Sequence, residues 1–288
     1  MKKKLALLLT TFFAILVLAA CGTSEDASSS TETENTEGTE STETNGVFKV
    51  GLEAGYPPFN WTQQDDSNGA VKIQGSEEYA GGYDVEIAKR VAEALGKELV
   101  IVKTDWDGLL PALQTNVIDG IIAGMSPSEE RKKAIDFSEN YYTSEYVIVT
   151  RADGNYANAK TLEDFAGAKI TAQLNTTHYE VIDQIPGVQK QQAMNDFTAM
   201  RVALSSGVID GYVAERPEAI SSTTAIPEFT FSDLEDGFEI SEAEAAIAIG
   251  LRKGDENLEK INEAIANISE EERQELMDAA IQNQPAAN

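Results

Sequence analysis

The chain has 288 residues, with 49 acidic side chains against 22 basic ones, a formal net charge of −27, one histidine and one cysteine. So acidic a chain lacks the basic surface that neutralises phosphates, which excludes a nucleic-acid binder; a single cysteine closes no internal disulfide, and a single histidine argues against a zinc site or a histidine-based triad, so no metal and no cofactor is expected. The length allows one or two domains of roughly 100–200 residues each.

Lys2-Lys3-Lys4 precede an apolar run over 5–20 that is broken only by Thr10 and Thr11. This is the pattern of an export signal over residues 1–20, shorter than the ~20 apolar residues of a spanning helix. The run ends Leu18-Ala19-Ala20-Cys21, the wording of a bacterial lipobox, in which the chain is cut before the cysteine and a diacylglycerol is attached to its sulfur. Cys21 is therefore expected to carry a lipid. Residues 22–46 hold seven acids, no base and a single alanine, too little apolar surface to offset the entropy of ordering, so 21–46 reads as a lipidated cysteine followed by a disordered acidic tether. The protein is expected to be exported and lipid-anchored to the outer face of the cell membrane, the long tether pointing to a Gram-positive surface.

Beyond the tether the hydrophobic spacing alternates between periods of two and 3.6. Residues 47–52 read as a strand, 84–95 as a helix with an apolar stripe ending at Gly96, 99–102 as a strand, 106–114 as a helix and 117–123 as a buried strand. Ser126-Pro127-Ser128-Glu129 reads as a cap, a proline at the first helical position and a glutamate three after the cap, hence a helix starting at Ser126. Thr161 is expected to cap a short helix closed by Gly167, 169–173 to be a strand, Asn175-Thr176-Thr177 a turn into a helix over 178–185, and 194–204 a helix. A strand over 245–251 and helices near 256–268 and 270–282 complete the chain.

The segment 113–124 can be laid over 204–215, with Val-Ile-Asp-Gly identical at 117–120 and 208–211, and each copy leads through a proline (Pro127, Pro217) into a helix. One helix-strand-loop-helix unit is thus expected in each of two α/β lobes, with lobe 1 over 47–142 plus 244–288 and lobe 2 over 143–243. Crossings near 141–145 and 239–244 would form a double hinge. Loops at the carboxyl ends of the two strands would then face each other across a cleft, where open α/β sheets bind ligands.

Gly55-Tyr56-Pro57-Pro58-Phe59, Gly82-Tyr83-Asp84-Val85-Glu86-Ile87-Ala88, Trp106-Asp107-Gly108-Leu109-Leu110-Pro111, and Ala123-Gly124-Met125-Ser126 through Arg131-Lys132-Lys133 to Asp136-Phe137-Ser138 occur in order. Together they closely resemble the polar amino-acid-binding proteins of bacterial ABC importers, from about residue 47 to residue 275. The resemblance implies a two-lobed type II periplasmic-binding-protein fold, not an enzyme, that closes on an amino acid and presents it to a membrane permease and its ATPase. On the matching positions it implies Arg131 as a carboxylate clamp, Glu215 for the α-ammonium, Gly124, Ser126, Thr176 and Thr177 for main-chain groups, Tyr56 and Tyr83 as aromatic walls, and Glu53 at the ligand's side-chain end, within reach of Gln173. A guanidinium gives two parallel charge-assisted bonds to a carboxylate, which suits the first role. Asn175 stands where the family often has glycine, residues 62–82 form a longer acidic insertion, and 274–288 lack an aromatic-rich ending.

Arg131 against Glu53 and Glu215 leaves the site at minus one, so a basic amino acid would neutralise it; arginine is expected first, then lysine, with glutamine or another polar amino acid as the alternative. The protein is expected to work as a monomer. A dehydratase-like enzyme using Glu53 or Glu215 as acid or base, or a ligand sensor, are the readings from other classes. His178 reads as a solvated residue at a helix start.

Overall fold

The computed structural model describes residues 46–285. The expected export signal, Cys21 and the tether as far as residue 45 lie outside the described residues.

In the first half of the chain β1 (Val47–Leu52) is followed by β2 (Gly55–Tyr56), β3 (Asn60–Gln63), β4 (Val71–Lys72) and β5 (Tyr79–Gly81). Then come α1 (Tyr83–Leu95), β6 (Glu98–Lys103), α2 (Trp106–Gln114), β7 (Gly120–Ile121), α3 (Glu129–Ala134) and β8 (Asp136–Thr143). α1 ends where the sequence places it: Gly96 takes a left-handed φ of 66° that closes the helix without a Cβ penalty. The second half contains β9 (Tyr146–Arg151), β10 (Lys169–Thr171), α4 (Thr177–Val181), β11 (Gln189–Lys190), α5 (Phe197–Ser205), β12 (Gly211–Glu215), α6 (Arg216–Ala225) and β13 (Phe229–Ser232). The short α7 (Glu242–Ala245), then β14 (Ala246–Leu251), α8 (Leu258–Ala266) and α9 (Glu270–Asn283) follow.

Two five-stranded sheets result, ordered β6-β1-β7-β14-β8 and β11-β10-β12-β9-β13. They share one pattern. A parallel trio (β6-β1-β7, β11-β10-β12) fills one side of each sheet; next to it runs an antiparallel strand, in each case the one that crosses from the other sheet, and an edge strand antiparallel to that one closes the sheet. Phe48, Val50 and Leu52 of β1 pack with Ile87 and Val91 of α1 and with Ile261 and Ile265 of α8 in one core; Ile148, Ile170 and Val213 pack with Phe165 and Ile182 in another. Each such side chain contributes about 1.5–3 kcal/mol when fully buried.

The internal repeat is reproduced bond for bond. The N–H groups of Val117 and Ile118 both reach Ala112 O, and those of Val208 and Ile209 both reach Ala203 O. Asp119 Oδ2 accepts from Lys49 N at 3.0 Å while its own N–H reaches Lys49 O at 2.7 Å; Asp210 does the same with Lys169 at 2.8 Å each way. The aspartate therefore staples the start of its strand to the neighbouring one in both sheets. Asn116 and Gly207, with φ of 62° and 72°, make the left-handed exit from the preceding helix.

Two local expectations are corrected, and the insertion over 62–82 gains a place. Residues 117–123 form not a long buried strand but the two-residue β7, because the chain leaves α2 through Asn116 with Val117 52% exposed. The cap of α3 is Ser128, whose Oγ accepts from Arg131 N at 3.4 Å; Ser126 is buried instead, its hydroxyl donating to Glu244 O at 3.0 Å. The insertion over 62–82 contributes to a small antiparallel sheet, β2-β3-β5-β4, and Ile73 bridges to Ile101, so the insertion covers the edge of β6.

Candidate functional site

Apart from Tyr56 in β2 and Tyr83 at the start of α1, the expected site residues come from the carboxyl ends of β1, β7, β10 and β12 and from the turns and helices that follow them. Glu53 follows β1, Gln173 lies two residues past β10, and the Gln173 amide donates to Glu53 Oε1 at 2.9 Å and to Asn195 O at 3.0 Å. Burial pushes the Glu53 carboxyl up to about 8, helped by Asp196, Asp105 and Asp107 and opposed by the Gln173 bond. Glu215 ends β12, is 2% exposed and is likewise pushed up to about 8 by burial. Among the described residues neither carboxyl is paired with a lysine or an arginine.

Arg131 sits in the first turn and a half of α3. Its guanidinium donates to Ser126 O at 2.9 Å and to Asn175 O at 3.1 Å and lies 5.1 Å from the Trp106 ring centroid. Trp106 Nε1 also donates to Asn175 O, at 3.3 Å, and Asn175 Nδ2 donates to Asp107 Oδ1 at 2.8 Å. Asn175 meets these partners with a left-handed φ of 57°. Asparagine is among the few residues with a side chain that tolerate that conformation, so the departure from glycine at this turn preserves its geometry. Beside this cluster a cavity of about 810 Å³ opens between Trp106, Leu110, Arg131, Thr177, Glu180 and Glu244.

The remaining expected residues divide. Thr176 donates its hydroxyl to Gln173 O at 2.7 Å, Thr177 Oγ1 bonds the Tyr146 hydroxyl, and Gly124 N–H donates to Tyr141 Oη at 3.2 Å. Gly124 has a φ of 62°, and a Cβ there would stand 2.9 Å from Tyr56 Cε1, so glycine lets Tyr56 lie against the loop. Tyr56 stacks at 4.2 Å on Phe197, the first residue of α5, which joins the two halves of the molecule through aromatic rings. Tyr83 is not brought to the cleft: it is fully buried against Phe59, Tyr141 and Tyr142, and its hydroxyl donates to Tyr141 O at 2.9 Å. The aromatic that does face the cleft at a helix start is Trp106.

His178 is a second correction. It is 6% exposed, its ring 4.4 Å edge-on from Tyr146, and Nε2 lies 3.1 Å from Glu215 Oε2 but out of line for a hydrogen bond. Burial, then the Arg131 charge, hold the imidazole well below its usual range. Trp106, Phe197 and His178 were missed as site residues, although each stands within the first two residues of a helix that follows a strand's carboxyl end. That position is the signal by which they can be found.

Among the described residues no three His, Cys, Asp or Glu side chains converge as a metal site, and no helix is long and apolar enough to cross a membrane. The cavity is lined by the Arg131 guanidinium, the Trp106 ring and the Thr176 and Thr177 side chains, while Glu53 and Glu215 are not among the residues that line it.

A family model described as bacterial extracellular solute-binding proteins, family 3, matches residues 48–282. The chain belongs to that family. Among the solute-binding proteins it is similar to, the L-cystine-binding protein TcyJ of Escherichia coli (strain K12) is 32% identical over 78% of this chain and 79% of that protein. The arginine-binding extracellular protein ArtP of Bacillus subtilis (strain 168) is 28% identical over 93% of each. The solved arginine-bound form of truncated ArgBP from T. maritima is 34% identical, covers 77% of this chain and 96% of that one, and superposes with a TM-score of 0.64. The architecture is accordingly the two-lobed, type II periplasmic-binding-protein fold.

Proposed function

We propose that this chain is the extracellular binding component of an ABC amino-acid importer and that it captures a basic L-amino acid, arginine first, between its lobes. The observation that carries the ligand is the pair Glu53 and Glu215, one carboxyl half-buried and one buried, whose described neighbours are an uncharged amide and an imidazole and not a lysine or an arginine. A buried carboxyl without a counter-charge is costly, and a ligand with an α-ammonium and a side-chain cation relieves both at once while Arg131 takes its carboxylate. Relatives named for arginine support the same reading.

Ligand contacts from both lobes favour the closed arrangement, which the permease and its ATPase then recognise; the ligand is released unchanged, with no catalytic step. Export, a diacylglycerol on Cys21 and the acidic tether would hold the protein at the outer face of the membrane, each acyl chain contributing about 0.8 kcal/mol per buried CH₂. It works as a monomer.

A second reading rests on the Gln173 amide, which satisfies Glu53 Oε1 without a charge. A ligand amide could take its place, so glutamine is the alternative. A thermal-shift screen of the twenty amino acids tests both: arginine and lysine are expected to give the largest shifts, and glutamine without arginine would install the second reading. Arg131→Ala is expected to abolish every shift, and normal binding by that variant would remove the site assignment altogether.

A further inference from the structure

His178 is the only histidine of the chain, and both its ring nitrogens and Glu215 Oε2 are buried without a hydrogen-bond partner. The two side chains come from different elements, α4 and the end of β12, yet are held 3.1 Å apart by packing: Tyr146 closes one face of the imidazole and Phe197 stands edge-on at 6.5 Å. Neither group has an alternative charge partner nearby. Glu218, the next acid on α6, is tied to Arg201 at 2.7 Å and to the Tyr212 hydroxyl at 3.1 Å, and Arg131 on α3 is the cation that the imidazole faces.

We infer that His178 is a positioning residue of the ammonium subsite, holding with Glu215 one shared proton that the ligand's α-ammonium displaces on capture. This rests on the amino-acid-binding reading above and adds the exchange to it. In the free protein the pair keeps a single proton, either as a neutral carboxyl beside a neutral imidazole or as carboxylate beside imidazolium; a bare buried carboxylate is the disfavoured state. The arrival of an ammonium reverses the preference. The carboxylate is now paired with the ligand cation, an imidazolium beside that cation is repelled, and the proton passes to solvent. Atoms and charge balance: one cation enters the subsite and one proton leaves. The upward displacement of Glu215 and the downward displacement of His178, both caused first by burial, agree in direction with a proton retained before capture. Arg131, Tyr146, Glu215 and Glu218 are the titratable groups facing the pair; Glu215 and Glu218 each keep one carboxyl oxygen without a partner, but only the Glu218 carboxyl is also tied to a cation, Arg201.

The test is titration calorimetry with arginine at pH 6 to 8 in buffers of different ionisation enthalpy, which counts protons released, on the wild-type protein and on His178→Gln. A glutamine amide facing Oε2 can only donate to it, which favours the carboxylate over the neutral acid and leaves less of the proton to lose. The count at pH 7 should therefore be lower in His178→Gln than in the wild-type protein, and the slope of log affinity against pH should fall with it. Equal counts and equal slopes would overturn the inference, because Glu53 or Glu215 alone would then account for the release. Should His178→Gln fail to fold, the imidazole nitrogen resonances of wild-type His178 decide: they should move on addition of arginine at pH 7, and resonances identical in free and loaded protein from pH 6 to 9 would overturn it. Absence of any binding heat from any amino acid would instead remove the functional reading on which this rests.

Discussion

The Gln173 side-chain amide reaches from the end of β10 to the Glu53 carboxyl at the end of β1, a 2.9 Å bond that joins the two sheets through an uncharged donor. Glu53→Gln removes the negative end of this contact. It is expected to weaken arginine binding at least about 100-fold, in keeping with the ~2–5 kcal/mol lost when one member of a buried charged pair is removed, while glutamine binding changes by less than about threefold. Calorimetry with both ligands checks this. An equal loss for both would mean that Glu53 does not read the side chain.

The same carboxyls set a pH dependence. Glu53 and Glu215 rise from 4.5 to about 8 on folding, so the native state holds their protons more firmly; the stability they contribute is complete below about 4.5 and is lost as pH climbs to about 8. His178, lowered from 6.5 to about 3, acts oppositely but only below about 6.5, where the unfolded imidazole titrates. Between pH 6.5 and 8 the carboxyls therefore dominate. The Tm of ligand-free protein is expected to fall across that interval and the shift produced by arginine to grow. A flat or rising ligand-free Tm at constant ionic strength would contradict the assignment.

Tyr83 and Trp106 should respond in opposite ways. Tyr83→Phe removes the hydroxyl that satisfies Tyr141 O and is expected to cost about 1–2 kcal/mol of stability with ligand affinity unchanged within about twofold. Trp106→Ala removes the ring beside Arg131 and the donor to Asn175 O, and is expected to lower affinity about tenfold or more with little loss of stability. Denaturant unfolding and calorimetry on both variants separate the two roles.

Gly124→Ala places a methyl 2.9 Å from the Tyr56 ring at a φ of 62°. The backbone alone costs roughly 1–2 kcal/mol, so Tm should drop by several degrees, and affinity should fall as Tyr56 is displaced. Gly55→Ala is the control, since its added methyl meets nothing within 4 Å. Equal behaviour of the two variants would show that the close approach to Tyr56 is immaterial.

What could be read from residues alone was whatever depends on short-range spacing. The apolar stripe of α1 and its stop at Gly96 follow from the 3.6-residue period, and the duplicated Val-Ile-Asp-Gly foretold two matching sheets because each aspartate bonds the backbone of the adjacent strand. The place of Ser126 follows from no local pattern: its hydroxyl is drawn to Glu244 O, 118 residues away, which leaves Ser128 to cap α3. Tyr83 and Trp106 both open helices after strand-rich segments, and nothing in either neighbourhood says which ring points inward. His178 was read as solvated because a polar residue at a helix start is usually so; its burial comes from Tyr146 and Phe197, both remote in sequence.

One hydrogen bond between the crossings has a mechanical meaning. Ser144, between β8 and β9, donates its N–H to Ala245 O just before β14, at 2.9 Å, so the two connections run as a stapled ribbon rather than as two free cords. A ribbon bends more easily across its flat face than it twists, so if the halves part as the proposed capture requires, they would part as a door does. On the importer reading proposed above, a membrane partner would need to sense only an angle, and any amino acid that brought the door to the same angle would be received alike, whatever its side chain.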